Sequence, residues 1–487
     1  MSDKPRSHWW LLTVLALAQF MVVLDVSIVN VALPTIQKAF HMPQSSLQWI
    51  VTMYTLAFGG FLLLGGRAAD LYGRRRLFMT GTILFGLISL LDGLSQSGGM
   101  LIALRGAQGL MAALMSPAAL SIVLVTYREG HERNTALSVW GAVASGGAAA
   151  GVLLGGIITQ YLGWRWNFFI NVPVSLAVAL ATWRLVPAHE SEETHNQLDL
   201  PGAVSVTAAL MLLVYGLVEA PSHGWTAHST LGYFLAAAAL LTYFVMNEQR
   251  VKHPLVPFRI FRIRNVTAAN ITQMPIIAGM FSTFFFVTLY AQRVLGYSPV
   301  RTGLSFLVIP VFIAISATNV PRLVKKIGFK PILMVAPLFT ASALFWFSRV
   351  RVHGNFTHDL LPGFILMGIG MGATFIAMTI AATTGVPHRE SGLASGLLNT
   401  SQQMGGAIGL AVLTGISTSA AVSYITNLHL HSAPATSAQL AAMVHGFHEA
   451  FLVASCFMLG AAVLATVLIK QQKVSDSDVK AAMTSGG

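Results

Sequence analysis

Two ionisable side chains stand inside stretches that are otherwise apolar, and their chemistry frames everything else in the chain. Asp25 belongs to Leu24-Asp25-Val26-Ser27-Ile28-Val29-Asn30-Val31-Ala32-Leu33-Pro34, in a run with no other ionisable residue between Trp9 and Leu33. If that run is a helix rising about 1.5 Å per residue, Asp25 lies more than halfway across a bilayer. A charge at that depth is expensive, and such acids are kept mainly where they face a bundle interior or a wet cavity, as proton relays or as ion or substrate sites. The alternative is a carboxylate satisfied by its neighbours for packing alone. The second side chain is Arg105, in Leu101-Ile102-Ala103-Leu104-Arg105-Gly106-Ala107-Gln108-Gly109. A guanidinium does not give up its proton, so inside a membrane it must find carbonyls, water or a carboxylate. Beside an acid its charge favours the ionised form, while burial favours the neutral one.

The elements that must hold these residues are set by composition. Of 487 residues, 55% are hydrophobic and only 9% charged, whereas about a quarter are charged in a soluble globule. The chain is therefore expected to be an all-α polytopic membrane protein. Fourteen apolar runs follow one another, at about 9–34, 47–66, 77–95, 99–125, 134–161, 167–187, 200–220, 228–247, 266–291, 299–322, 330–349, 359–384, 391–421 and 446–470. They are continuous and about twenty residues long, which predicts helices rather than alternating barrel strands. The first run holds Asp25, is too long for a signal peptide's apolar core and lacks a small-residue cleavage site, so it is expected to stay as a span.

The net charge of +12 raises nucleic acid as a partner, and its distribution removes the need for one. Taken on alternate gaps, one side holds most of the lysines and arginines; the other holds only Lys38, Arg165, Arg293, Arg301, Arg349 and Arg351. This bias predicts that both termini are cytoplasmic. The single cysteine, Cys456, excludes an intrachain disulfide and reads as a packing residue. Pairs such as His429 with His431 and His445 with His448 lack zinc spacing and read as solvated loop, so no metal is expected. No Gly-x-x-x-x-Gly-Lys-Ser/Thr loop occurs, and Gly368-x-Gly370-x-Gly372 lies inside an apolar run with no strand before it, so no enzyme is expected.

Further motifs surround the two charges. The gap Gly65-Gly66-Arg67-Ala68-Ala69-Asp70-Leu71-Tyr72-Gly73-Arg74-Arg75-Arg76 has glycines suited to a tight turn and an acid, Asp70, able to cap the next helix or pair with a basic neighbour. The fifth run carries Gly147, Gly151 and Gly155 on one face, with Gly156 adjacent, a surface on which another backbone can rest closely and which could seal one half against the other. Trp164-Arg165-Trp166 begins an interfacial aromatic belt. Shifted by 255 residues, Gly66, Arg67, Asp70, Gly73 and Arg75 fall on Pro321, Arg322, Lys325, Gly328 and Lys330, and Gly392, Gly396, Gly405, Gly406 and Gly409 echo the glycines of the fifth run. Such a repeat predicts two like-oriented halves with the substrate path between them. Asn30, Asn270, Gln273, Asn399, Gln402 and Gln403 can line that path or bond helix to helix. Among the remaining acids near span ends (Asp92, Glu219, Asp359, Glu390 and Glu449) Glu219 is the best second candidate, with a solvated rim as its alternative.

On these residues the chain resembles the major facilitator superfamily over nearly its whole length, in the fourteen-spanner branch of drug/proton antiporters. Leu24 to Pro34 is similar to that branch's first-helix signature, with Ser27 where threonine is usual; Gly66 to Arg76 resembles the loop motif between helices 2 and 3; Arg105, Gln108 and Gly109 resemble the helix 4 motif. Gly147 to Gly156 resembles the antiporter motif of helix 5, with Val152 in place of its proline. The resemblance implies a six-helix bundle over residues 1–187, a linker carrying two inserted helices over 188–265, and a second six-helix bundle with a cytoplasmic tail over 266–487. It implies a monomer in a bacterial inner membrane that exports hydrophobic compounds in exchange for protons, with the proton gradient in place of a cofactor and lipids as surroundings. Asp25 and Arg105 would couple the proton, and Gly66, Asp70, Gly73 and Arg74 would form a gate. If proton and substrate compete for the Asp25 charge, each promotes departure of the other, provided they bind the two access states differently. No second-half acid sits at a span centre, which favours monocationic or neutral amphiphiles. A passive channel, or a lipid-handling or sensory protein on the same scaffold, are the other classes left open.

Overall fold

The computed structural model describes residues 5–127, 131–186, 198–386, 391–427 and 435–471. His429, His431, Arg389, Glu390, most of the acidic stretch 188–199 and the tail from 472 lie outside the described residues. In chain order the long helices are α1 (Pro5–Phe40), α2 (Trp49–Tyr72), α3 (Arg74–Gly93), α4 (Gly98–Thr126), α5 (His131–Tyr161), α6 (Asn171–Leu185) and α7 (Leu200–His223). There follow α8 (His228–Arg250), α9 (Arg264–Leu289), α10 (Val308–Ile327), α11 (Phe329–Phe347), α12 (Leu361–Thr383), α13 (Ser391–Asn427) and α14 (Ala435–Leu468). Short helices Trp166–Phe169 and Pro299–Phe306 lead into α6 and α10. Among the described residues thirteen helical stretches are long and apolar enough to cross a membrane, and α5, 31 residues long, packs along α1. Strands are absent among the described residues, so the chain is an all-α multi-pass membrane protein whose spans satisfy their backbone polar groups mainly within their own helices.

Helix ends follow local chemistry. Ser97 accepts the Met100 N–H at 3.2 Å and starts α4; Asp199 accepts the Gly202 N–H at 2.9 Å and starts α7, with Pro201 in the first turn. Between α2 and α3 the chain turns on one residue, Gly73, at φ 92°. Gly328 repeats this between α10 and α11 at φ 83°, a left-handed conformation that a side chain resists. The 255-residue repeat thus places the same backbone break in both halves. Gly66 does not make the turn that its sequence context suggested, because α2 stays helical to Tyr72. The close approach is at Gly65, where a Cβ would overlap the Ala113 carbonyl of α4.

α1 to α6 pack among themselves, as do α9 to α14, and α7 lies against both α2 and α13 with α8 outside it. Leu210, Val214 and Val218 on α7 bury against Leu56 on α2 and Ala407 and Ala411 on α13. α8 is mostly exposed, the arrangement expected of a lipid-facing helix. The two groups of six meet along α2 and α13, where Gly59 faces Gln403 and Gly396 faces Leu63, and at the end remote from the N terminus. There Gln292 donates to the Val31 carbonyl at 2.9 Å, Arg293 bonds Gln37, and the Val300 N–H meets Gln160 at 3.3 Å. α1 runs on to Phe40 through Pro34, past the end expected from the apolar run.

Candidate functional site

Glycines fix how α1 is turned. Along α5, a Cβ at Gly147 would come 3.3 Å from Phe20, at Gly151 2.7 Å from the Ser27 Cβ, and at Gly155 2.8 Å from the Ile28 carbonyl. α1 therefore lies almost backbone to backbone on α5, with Leu24, Ser27 and Ile28 on that contact. This glycine face does not seal half against half as the sequence suggested; it binds α1 within the first group. The seam between groups starts one residue on, at Gly156, where a Cβ would come 2.5 Å from the Pro299 carbonyl. A Cβ on Gly303 would likewise come 2.6 Å from the carbonyl of Val152. Substituted for the motif proline, Val152 leaves α5 an unbroken helix.

With α1 so oriented, Asp25 points among α3, α4 and α6. Its Oδ2 receives Arg105 Nη1 at 2.5 Å, and its Oδ1 receives Gln108 Nε2 at 3.0 Å and Asn171 Nδ2 at 2.8 Å. Gln108 and Asn171 both also donate to the Ser89 hydroxyl, at 3.2 and 3.0 Å, and Ser89 donates to the Phe168 carbonyl at 3.0 Å. Arg105 sends Nε to the Ile50 carbonyl at 3.1 Å and Nη1 to Gln108 at 2.5 Å. Its guanidinium carbon sits 4.3 Å from the centre of the Tyr54 ring, a cation over an aromatic face. Asp25, Arg105, Gln108, Ser89, Asn171 and Tyr54 are all buried. Desolvating both charges is costly, and this many neutral donors around one ion pair is what offsets the cost.

Every hydrogen bond to Asp25 comes from the first six helices. In the conformation seen here the acid is enclosed within that one group of helices. Asn171 and Ser89 were missed by the sequence because neither lies in a recognisable motif. Asp92 was passed over as a span-end acid, yet it too is fully buried.

The remaining candidates are scattered. Asp70 on α2 and Arg74 at the start of α3 pair at 3.1 Å across the Gly73 turn, both well exposed, and Arg75 donates to the Trp183 carbonyl at 2.7 Å, tying α3 to α6. Asn30 turns back on its own helix to the Val26 carbonyl at 3.0 Å. Asn270 accepts from Ser401 at 2.6 Å, joining α9 to α13. Gln273 is buried with neither amide atom bonded among the described residues. Gln403 packs against Gly59 of α2, across the seam, whereas Asn399 is exposed. Glu219 lies on α7, paired with His223 at 2.9 Å, outside both groups of six. Glu449 lines a cavity of 520 Å³ with Trp225, Tyr424 and His445, at the end remote from the N terminus. Cys456 faces outward from α14 instead of packing. No cluster of His, Cys, Asp and Glu suited to a metal occurs among the described residues.

Comparison with known proteins agrees with this architecture. The profile of the Major Facilitator Superfamily matches residues 15–410. The puromycin resistance protein pur8 of Streptomyces alboniger is 40% identical over 99% of this chain and 95% of its own length. The cephamycin export protein CmcT of Amycolatopsis lactamdurans is 36% identical over 93% and 90%. Among solved structures, a bacterial homologue of the human lysosomal transporter Spinster, inward-facing and unoccupied, superposes with a TM-score of 0.71 at 16% identity, over 96% of this chain and 98% of that one.

Proposed function

This chain belongs to the major facilitator superfamily and is a transporter rather than an enzyme, and from that premise we propose that it is a proton-coupled antiporter. It exports hydrophobic drugs or antibiotics, monocationic or neutral, across a bacterial cytoplasmic membrane. Relatives whose names record puromycin resistance and cephamycin export support the cargo class. The distribution of lysine and arginine supports cytoplasmic termini, which makes the closed end of the molecule the outer one.

The observation that carries the coupling is the enclosed Asp25–Arg105 pair. With Asp25 ionised, Arg105 is neutralised and α1, α3, α4 and α6 are drawn together around one carboxylate. A proton on Asp25 cancels that charge and leaves a buried guanidinium uncompensated, a state that costs several kcal/mol unless helices move or water enters. α1 also carries Val31 and Gln37, which bond the second group of helices at the closed end. Protonation thus biases a two-state balance through the helix that closes it, and substrate between the halves biases the same balance from the other side. Proton and substrate need not touch the same atom.

Proteoliposomes test the proposal. Purified protein should move ethidium, a hydrophobic monocation, against its gradient when a pH gradient is imposed, and Asp25→Asn should abolish that movement. Dissipation of an ethidium gradient without uphill movement would instead indicate a channel, and no movement of ethidium or of other amphiphiles would indicate a lipid-handling or sensory role.

A further inference from the structure

Asp92 occupies the last turn of α3 with no exposed surface, and neither of its carboxylate oxygens has a hydrogen-bond partner among the described residues. Ser89, one turn back along α3, bonds the two amides that hold Asp25. Asp92 is within Coulombic reach of Arg105 and Asp25. The titratable or charged groups facing this region are Arg105 from α4, Asp25 from α1 and Tyr54 from α2. At the rim, Arg165 is held on the Ser95 carbonyl at 3.0 Å and over the Trp164 ring. The first six helices therefore bury two acids and one cation here, and the cation is already bonded to Asp25. A second ionised carboxylate without partners is not sustainable in such surroundings.

We infer that Asp92 is a second proton-carrying carboxyl, sharing the Arg105 charge with Asp25 so that the two acids hold one proton between them. The exchange balances: the O–H of Asp92 releases its proton, the Asp25 carboxylate binds it, Arg105 turns its guanidinium from Asp25 toward Asp92, and the net charge of the three groups stays at zero. Gln48, Thr52, Tyr54, Ser95 and Asn167 each have a buried polar atom without a partner among the described residues. They belong to the same end of the first six helices, between Arg105 and the face remote from the termini. Buried polar atoms are normally bonded, and unbonded ones gathered here supply the donors and acceptors of a proton route to Asp92 that bypasses the seam.

The use of this pair in transport rests on the antiport reading; its existence does not, and the experiment separates them. Infrared difference spectra of the full-length protein, recorded between acid and alkaline pH, report the C=O stretch of protonated carboxyls. Asp92→Asn should remove a pH-responsive carboxyl band that Asp25→Asn retains, and each substitution should shift the midpoint of the band that remains. Asp92→Glu, which keeps the acid should Asp92→Asn fail to fold, should move the band's frequency. Spectra of Asp92→Asn or Asp92→Glu that overlay the parent at every pH would overturn the inference. If the parent shows the Asp92 band but moves no ethidium against its gradient, the antiport reading falls and the shared proton stands.

Discussion

Arg105 Nη1 and Asp25 Oδ2 meet at 2.5 Å with both side chains removed from solvent. The two residues are far apart in the sequence, on helices separated by two others, and the contact exists because α1 is seated on glycines of α5 while Ile50 and Tyr54 of α2 hold the guanidinium from behind. An ion pair so enclosed is marginal as a source of stability, but removing Arg105 leaves Asp25 charged and unpaired, and removing Asp25 leaves Arg105 with Asp92 as its remaining acid.

Arg105→Gln should therefore destabilise the folded protein by about 3–5 kcal/mol, and Asp25→Asn by less, because Asp92 can take up the Arg105 charge. The double variant should lose less than the sum, with a coupling of about 0.5–3 kcal/mol. Thermal unfolding of the four purified proteins in one detergent measures this, and strictly additive losses would show that the two charges do not interact.

The glycines of α5 should separate into two classes. Gly151→Val and Gly155→Val drive α1 off its seat, so they should lower the unfolding midpoint and displace Asp25. Gly156→Val acts on the seam at Pro299 and should leave the first six helices folded while parting the closed end. Cysteines at Gln160 and Val300, in a Cys456→Ser background because Cys456 is exposed, should cross-link readily in the parent and poorly in Gly156→Val. Equal cross-linking in the two would show that the seam closes elsewhere.

Asp70→Asn should behave unlike the buried pair. Asp70 and Arg74 are an exposed pair on either side of the Gly73 turn, a kind of contact worth about 0.2–1 kcal/mol. The unfolding midpoint should hardly move. A loss of ethidium transport in this variant would then report on the balance between conformations, since folding is intact.

The helical spans and the two buried charges were legible in the sequence because lipid imposes long apolar helices and tolerates few ions. What the charges touch was not legible. Asn171 and Ser89 are ordinary polar residues whose importance depends on helix rotation, and the rotation of α1 is set by glycines more than a hundred residues away. Asp92 looked like a rim acid because it ends a run; α3 ends beside the packed aromatics of Trp166–Phe169, where a Cβ on Gly93 would overlap the Phe169 ring, so its last turn is enclosed. The signal available was the Ser89–Asp92 spacing, which puts both on one helical face. Gly66 misled for the opposite reason, since a glycine inside a helix and a glycine at a turn read alike.

Val152 provides the last test, because the family's helix 5 motif carries proline there and this chain does not. In the unbroken α5 the Val152 N–H belongs to the helical ladder, and its carbonyl faces Gly303 at the seam. Val152→Pro removes that N–H and sets the ring against the carbonyl of residue 148, at a cost of about 3 kcal/mol in a helix that cannot kink freely. The contacts at Gly156 lie one turn further along, so the kink should carry Gln160 away from Val300. Lower unfolding midpoint and lower Gln160–Val300 cross-linking are expected together. A proline variant that keeps both at parental values would show that α5 already follows a kinked path, and that the glycines alone determine how the halves close.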